Sequence, residues 1–131
     1  MEKRLFTKKE GKPLKVLIVD DEESVVMFMK SYFRRRKILA YVATSGHQAL
    51  EEFKKVKPDL VLLDIIMEDL DGFEILKEIK KKSPDTKVIM ITGRQDTQAK
   101  QLSSRLGADG FIRKPIVIEE FDQIISEIIK R

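Results

Sequence analysis

The amino-acid sequence predicts an α/β protein: a three-layer α/β/α sandwich, (βα)5, in which five parallel strands alternate with five helices. Three observations predict it. Five short apolar, β-branched runs are spaced along the chain, and a stretch with helical spacing follows each of them. The runs are apolar throughout, as strands covered on both faces are, and right-handed crossovers between parallel strands place helices on both sides of one sheet. Finally, 131 residues, 42% of them hydrophobic, suffice for one core and leave too little for two domains of ordinary size.

Residues 1–13 (MEKRLFTKKEGKP) are polar, lack periodicity and end in Gly11 and Pro13, so they read as a flexible basic arm ahead of a domain spanning 14–131. The first strand is Lys15 to Asp20 (KVLIVD). In the helix after it, Val25, Phe28, Met29, Tyr32 and Phe33 fall at i, i+3, i+4, i+7 and i+8 and form one apolar stripe. Glu22 and Glu23 at its start and Arg34 to Lys37 at its end suit the helix dipole. Leu39 to Ala43 is the second strand, and Ser45 with Gln48 has the spacing of a capping box for the next helix. Leu60 to Asp64 is the third strand. Asp71 with Glu74 repeats the capping spacing, and Gly72, Ile75, Leu76 and Ile79 give the buried face of the third helix. Val88 to Thr92 is the fourth strand. Its helix, about Asp96 to Leu106, has only Ala99, Leu102 and Leu106 to bury and is expected to be the most weakly held. Gly110 to Arg113 is the fifth strand, and the last helix, about Val117 to Lys130, carries Val117, Ile118, Phe121, Ile124, Ile125, Ile128 and Ile129. At 100° per residue those positions span about 140°, against about 100° for a core face. Either the helix packs deeper than usual, or Ile118, Ile125 and Ile129 on one flank belong to a partner surface beside the fourth helix.

Composition removes several function classes. With no cysteine there is no disulfide framework, thiolate nucleophile or cysteine zinc site, and the single His47, read as a solvated residue, cannot form a cluster. The basic start runs into Thr7, Lys8, Lys9 and Glu10 rather than an apolar stretch, so it is not a secretory signal, and no apolar run approaches the roughly 20 residues that span a bilayer. The expected location is the cytoplasm, with no membrane contact. The net charge of +4 suggests polyanion binding until it is located. Residues 1–15 hold six bases against two acids, which accounts for the whole surplus and leaves residues 16–131 neutral by count. A nucleic-acid role therefore falls chiefly to the arm, the run Arg34 to Lys37 reading as a solvated helix end.

Ligands of open α/β sheets bind at the carboxyl ends of the strands. Strand one ends in Asp20 and Asp21, strand three in Asp64, strand four in Thr92, and strand five leads into Lys114 and Pro115. If strands one and three are neighbours, three carboxylates converge, and each like-charge pair costs up to about 4 kcal/mol at 4 Å with an effective dielectric of 20. A cation must offset that. Oxygen ligands with positions left for water suit Mg²⁺, and Lys114 and Thr92 add a positive group and a hydroxyl able to hold a phosphoryl group.

Asp20-Asp21, the stretch from Asp64 to Gly72, Thr92-Gly93 and Lys114-Pro115, in that order at the ends of the right strands, resemble the receiver domain of two-component response regulators over roughly residues 14–130. The resemblance implies a flavodoxin-like fold with strand order 2-1-3-4-5 and Mg²⁺ as cofactor. It implies that Asp64 accepts a phosphoryl group from a phosphohistidine of a sensor histidine kinase or phosphotransfer protein, forming an aspartyl phosphate. Asp20, Asp21, Asp64 and the Ile66 backbone carbonyl would be the protein ligands of the metal. Lys114 would pair with the phosphoryl oxygens, Thr92 would hydrogen-bond one of them, and Phe111 would be the switch aromatic that turns inward as Thr92 moves. The Lys114–Pro115 bond resembles one that is cis in the family. The surface of helix four, strand five and helix five would then change to control a downstream protein, an output domain or a phosphorylation-dependent homodimer. Such a chain is a phosphoacceptor signalling domain and not an enzyme, although it assists its own phosphorylation and dephosphorylation. It either acts by binding a partner or belongs to a longer regulator.

One position departs from the family: Glu68 stands where a proline commonly follows the methionine, which puts a fourth carboxylate near the metal. Two further positions, which vary in the family and are thought to tune phosphate lifetime by handling the attacking water, hold Ile66 and Arg94. Ile66 cannot position water, so slow hydrolysis of phospho-Asp64 is expected. Plainer readings have less to support them. Asp20 and Asp21 could simply cap a helix. A calcium loop around Asp69, Asp71 and Gly72 would begin at Met67, which cannot ligate calcium. A flavin phosphate would be repelled by Asp20-Asp21-Glu22-Glu23. The alternatives from other classes are a receiver-like scaffold that binds partners without phosphorylation, and a nucleic-acid-binding protein that uses the basic arm.

Overall fold

A computed structural model describes residues 11–93 and 97–130, so most of the expected arm, the residues at Arg94 to Asp96 and Arg131 lie outside the described residues. The elements alternate without exception: β1 (Lys15–Val19), α1 (Glu23–Arg35), β2 (Leu39–Ala43), α2 (Gly46–Val56), β3 (Leu60–Asp64), α3 (Gly72–Lys82), β4 (Lys87–Thr92), α4 (Thr97–Arg105), β5 (Gly110–Arg113) and α5 (Ile118–Lys130). The strands are parallel in the order β2-β1-β3-β4-β5, so β1 and β3 are neighbours. The register aligns Val19 with Leu63 and Asp64 with Ile91, which ends the three central strands at one level.

Strand side chains alternate between faces, and each face has its own core. Val16, Ile18, Leu60, Leu62, Ile89 and Ile91 face α1 and α5, where they meet Met29, Tyr32, Phe33, Phe121, Ile125 and Ile128. Leu17, Val19, Val61, Leu63, Val88 and Met90 face α2, α3 and α4, against Ala49, Phe53, Ile75, Leu76, Ile79 and Ala99. The aromatic rings of Phe28, Tyr32, Phe33 and Phe121 stack edge-on or tilted between α1 and α5. Tyr32 also donates its hydroxyl to Asp122 of α5, and Arg36 stacks on the Tyr32 ring 3.6 Å from its centroid.

The expected helix starts are made differently in detail. Ser45 accepts from the Gln48 N–H at 3.1 Å, but the Gln48 side chain reaches back to the Thr44 N–H and not to that of Ser45. Asp71 accepts from the Phe73 N–H at 2.8 Å, while Glu74 pairs with Lys77. In α1 the fully buried positions are Val26, Met29, Tyr32 and Phe33, with Val25 and Phe28 at the edge of the stripe. Helix α4 is as sparingly held as its sequence implies: Ala99 and Ser103 are its buried residues, Leu102 is partly covered, and the Ser103 hydroxyl satisfies itself on the Ala99 carbonyl.

One reading of α5 is overturned. Ile125 is 0% exposed in the core and Ile129 packs against that core, so of the proposed flank only Ile118, 49% exposed, is available to a partner. The buried face of α5 is Phe121, Ile125 and Ile128, with Ile124 and Ile129 partly covered and Val117 and Ile118 exposed at its start.

Gly72 is the residue through which the fold constrains the end of β3. It opens α3 so close to that strand that a Cβ would lie 2.6 Å from the Ile65 Cα and 2.7 Å from the Asp64 carbonyl oxygen. Its N–H donates to the Ile65 carbonyl at 2.9 Å, which closes the loop. Two outcomes are expected in thermal and urea unfolding. Ile125→Glu buries an unpaired charge and should unfold the domain, since such a cost is comparable with its whole stability of about 5–15 kcal/mol. Gly72→Ala should cost about 1–3 kcal/mol by overpacking a backbone contact and should disturb Asp64 as well.

Candidate functional site

The site lies where β1 and β3 end. The Asp20 N–H bonds the Ala43 carbonyl at 3.1 Å and the Ile65 N–H bonds the Ile91 carbonyl at 2.9 Å, so the sheet ladder continues past both strand ends and fixes the backbone beside each carboxylate. Asp20 is 0% exposed and Asp64 4%. Asp21, the next residue, is exposed at the rim of the site. Carboxylate oxygens of Asp20, Asp21 and Asp64 all lie within 4.8 Å of one another, the only such group of metal-ligating side chains among the described residues.

Lys114 faces this group. Its backbone N–H is held by the Thr92 carbonyl at 2.8 Å, and the Lys114–Pro115 bond is cis. The ammonium lies 3.1 Å from Asp20 Oδ2, 3.3 Å from Asp64 Oδ2 and 2.6 Å from Glu22 Oε1. Thr92, at the end of β4, is fully buried. Phe111 stands further along β5, partly buried against the α2–α4 core with the Arg113 guanidinium 5.4 Å from its ring.

Charge shapes this pocket more than any other feature. Burial pushes the Asp64 carboxyl up to about 6, and the neighbouring Asp20 charge adds to the rise. Lys114 and the Ile66 N–H, which donates to Asp64 Oδ1 at 3.2 Å, oppose it. Burial alone would weaken the charge on Lys114, but hydrogen bonds to Glu22 and Asp20 and the charges of Asp64 and Asp20 hold it above the usual lysine range. Asp20 uses Oδ1 to accept the Glu22 N–H at 2.9 Å. Its Oδ2 is buried and receives no well-directed hydrogen bond, because the ammonium 3.1 Å away is not aligned with it. An under-satisfied carboxylate oxygen beside two more carboxylates is a donor set suited to a hard divalent cation, so these residues fit Mg²⁺.

Most of the expected residues converge. Asp20, Asp21, Asp64 and Lys114 form one cluster, Thr92 joins it through the Lys114 backbone, and Ile66 contributes its N–H, with its side chain 57% exposed. Glu68 is exposed and outside the carboxylate group, so the expected fourth acid at the metal is corrected. The fourth carboxylate of the pocket is Glu22, which the sequence offered as an acid at a helix start and as part of the acidic run Asp20 to Glu23 but not as a site residue; its position directly after Asp20-Asp21 was the available signal. Asp69, considered for a calcium loop, instead accepts the Gly46 and His47 N–H groups at 2.8 and 2.9 Å and pairs with the exposed His47 ring. Those hydrogen bonds, led by that of the His47 N–H, hold its carboxyl well below the usual range. The expectation at Arg94 lies outside the described residues.

Comparison with known proteins agrees with the fold. The sequence model of the response regulator receiver domain matches residues 16–126. The alkaline phosphatase synthesis transcriptional regulatory protein PhoP of Bacillus subtilis is 32% identical over 89% of this chain and 49% of its own length. The transcriptional regulatory protein TrcR of Mycobacterium tuberculosis is 31% identical over 93% of this chain and 48% of its own. The chain thus spans about half the length of these curated relatives. Among solved structures, a CheY-like receiver domain protein from Methanospirillum hungatei superposes with a TM-score of 0.85 at 27% identity, over 91% of this chain and 95% of that one. The non-phosphorylated HemR receiver domain of Leptospira biflexa gives 0.85 at 28%, over 92% and 96%.

The Asp64 environment has a measurable consequence without any metal. Its folded value near 6 lies above the unfolded value of about 3.9, so the folded state prefers the protonated carboxyl. The resulting penalty is absent below pH 4, grows between 4 and 6 and is complete above 6. Metal-free Asp64→Asn should therefore melt roughly 3–8 °C above the wild type at neutral pH, with the gap closing as pH falls toward 4. Excess Mg²⁺ should narrow the gap at neutral pH by stabilising the wild type more.

Proposed function

The chain belongs to the response regulator receiver domain family, and from that premise we propose that Asp64 is its phosphoacceptor, taking a phosphoryl group from the phosphohistidine of a sensor histidine kinase or phosphotransfer protein. The observation that carries this reading is the cluster of Asp20, Asp21 and Asp64 facing Lys114. Asp20, Asp21, Asp64 and the Ile66 carbonyl are the residues that would hold Mg²⁺, and the bound ion would supply positive charge that screens the acidic pocket and the phosphoryl oxygens.

Asp64 acts as an oxygen nucleophile. It forms the new O–P bond while the donor's P–N bond breaks and the imidazole departs with the electron pair. Lys114 neutralises negative charge on the phosphoryl oxygens and keeps its proton throughout, consistent with an ammonium held above the ordinary lysine range. Thr92 offers its hydroxyl to one phosphoryl oxygen. Phe111, partly buried against the core two strand positions before Arg113, is the aromatic that would turn inward as Thr92 moves.

Phosphorylation would shift a pre-existing equilibrium between two surfaces of α4, β5 and α5, the region that includes the sparingly held α4. The downstream target is an output domain, a partner protein or a second phosphorylated copy. The curated relatives are transcriptional regulators of about twice the matched length, which favours an output domain. We place the receiver unit at residues 14–131, with a basic segment at 1–13. It is a signalling domain that promotes its own phosphorylation and dephosphorylation rather than turning over a separate substrate. The described residues include no helix long and apolar enough to cross a membrane, which agrees with a cytoplasmic site of action.

Incubation with Mg²⁺ and a small acyl phosphate, followed by intact mass, should give one phosphoryl adduct that Asp64→Asn abolishes. No adduct on the wild type would favour a constitutive scaffold. Lys114→Met should slow labelling at least tenfold, whereas Thr92→Ala should still label but lose the surface change. The exposed, apolar Ile66 predicts a long-lived phosphoryl group. Ile66→Asn should shorten the lifetime several-fold, measured by the decay of the adduct.

A further inference from the structure

The Lys114 ammonium has three N–H bonds to give, and three carboxylates surround it. Asp64 Oδ2 lies at 3.3 Å, Asp20 Oδ1 at 3.4 Å with Oδ2 at 3.1 Å, and Glu22 Oε1 at 2.6 Å. The three are not equivalent. Asp20 and Asp64 are buried at strand ends whose backbone the sheet ladder fixes. Glu22 stands at the exposed start of α1, its side chain 56% accessible, yet its contact is the shortest. Glu22 does not cap that helix with its side chain, so the carboxylate's one described hydrogen bond is the one from Lys114.

Resting on the phosphoacceptor reading, we propose that Glu22 is a positioning residue that competes with the incoming phosphoryl group for Lys114, so that phosphorylation of Asp64 requires the ammonium to pass from Glu22 to a phosphoryl oxygen. A phosphoryl group on Asp64 brings further anionic oxygens beside the same ammonium. Glu22 and a phosphoryl oxygen bound to one nitrogen would lie near van der Waals distance of each other, and like charges that close repel. The acceptor that yields is the one with water already at its surface. Glu22 and Lys114 also line one groove with Val25, Phe28 and Ile116, so the displaced carboxylate moves out at the α1 side of the site.

The covalent step balances without Glu22. An Asp64 oxygen bonds phosphorus, the P–O bond of an acyl phosphate breaks, and the electron pair leaves with the carboxylate. No proton is transferred, and Lys114 changes acceptor while remaining protonated. Glu22 therefore acts on the rate through the availability of Lys114 and on nothing else in the reaction.

The test compares wild type, Glu22→Gln, Lys114→Met and the double variant, labelled by acetyl phosphate at saturating Mg²⁺ and followed by intact mass. A half-exposed ion pair is worth about 1 kcal/mol, so Glu22→Gln should label about fivefold faster than wild type. In the Lys114→Met background the acceleration should vanish, because Glu22 then has nothing to withhold. Glu22→Asp, one methylene shorter, should fall between wild type and Glu22→Gln. Equal or slower labelling of Glu22→Gln overturns the inference while leaving the phosphoacceptor reading intact. Acceleration that persists without Lys114 also overturns it, since removal of a mouth charge would then act on the donor directly. An unlabelled wild type would instead overturn the phosphoacceptor reading on which the inference rests.

Discussion

Two buried carboxylates, Asp20 and Asp64, share the ammonium of Lys114, and the rest of the site is arranged around that under-compensated charge. One cation cannot neutralise two buried acids together with Asp21 and Glu22 beside them. Burial of charge is tolerated only with compensation, and the group that gives way here is Asp64, whose carboxyl is pushed up to about 6 by burial and by Asp20. The pocket is thus poised to take up positive charge and, once it has, to accept an anionic phosphoryl group. The same imbalance makes the resting state locally unfavourable, which is the form of strain that a switch can release.

The fold exists to hold that imbalance in place. Parallel strands with matched register end β1, β3 and β4 at one level, and two cores clamp the sheet from both sides. Burying a large apolar side chain is worth about 1.5–3 kcal/mol, so the dozen fully buried large residues outweigh the cost of two buried acids. Gly72 transmits this rigidity to the β3 end, since the backbone of the loop after Asp64 passes where a side chain would stand. By contrast, α4 anchors itself through little more than Ala99 and Ser103. A rigid site beside a lightly held helix suits the proposed change of one surface around an unmoved acidic pocket.

Much of this was legible in the sequence because the signals are local. Strand ends, the 3.6-residue stripes and the acids at the carboxyl edge are read directly from residue order, and four landmarks in sequence implied the strand order by resemblance. What escaped reading depends on direction in space. The α5 stripe could not tell whether Ile125 pointed into the core or past it, because the residues it meets there include those of α1, 90 or more positions away. Glu68 and Glu22 are both acids beside a metal edge by count. Only the loop path turns Glu68 outward and the start of α1 brings Glu22 onto Lys114. Asp69 likewise holds the start of α2 from 23 positions away, a contact with no sequence period to announce it.

The central claim is electrostatic and can be measured on one atom group. Carboxyl ¹³C NMR of the metal-free domain, titrated across acidic and neutral pH with Asp64→Asn to assign the resonance, reports the protonation of Asp64 directly. The structure predicts a midpoint near 6, falling well below 5 when Mg²⁺ is added in excess. A midpoint at the ordinary aspartate value of about 3.9, unchanged by Mg²⁺, would contradict the account, because the pocket would then hold no charge imbalance for a cation or a phosphoryl group to resolve.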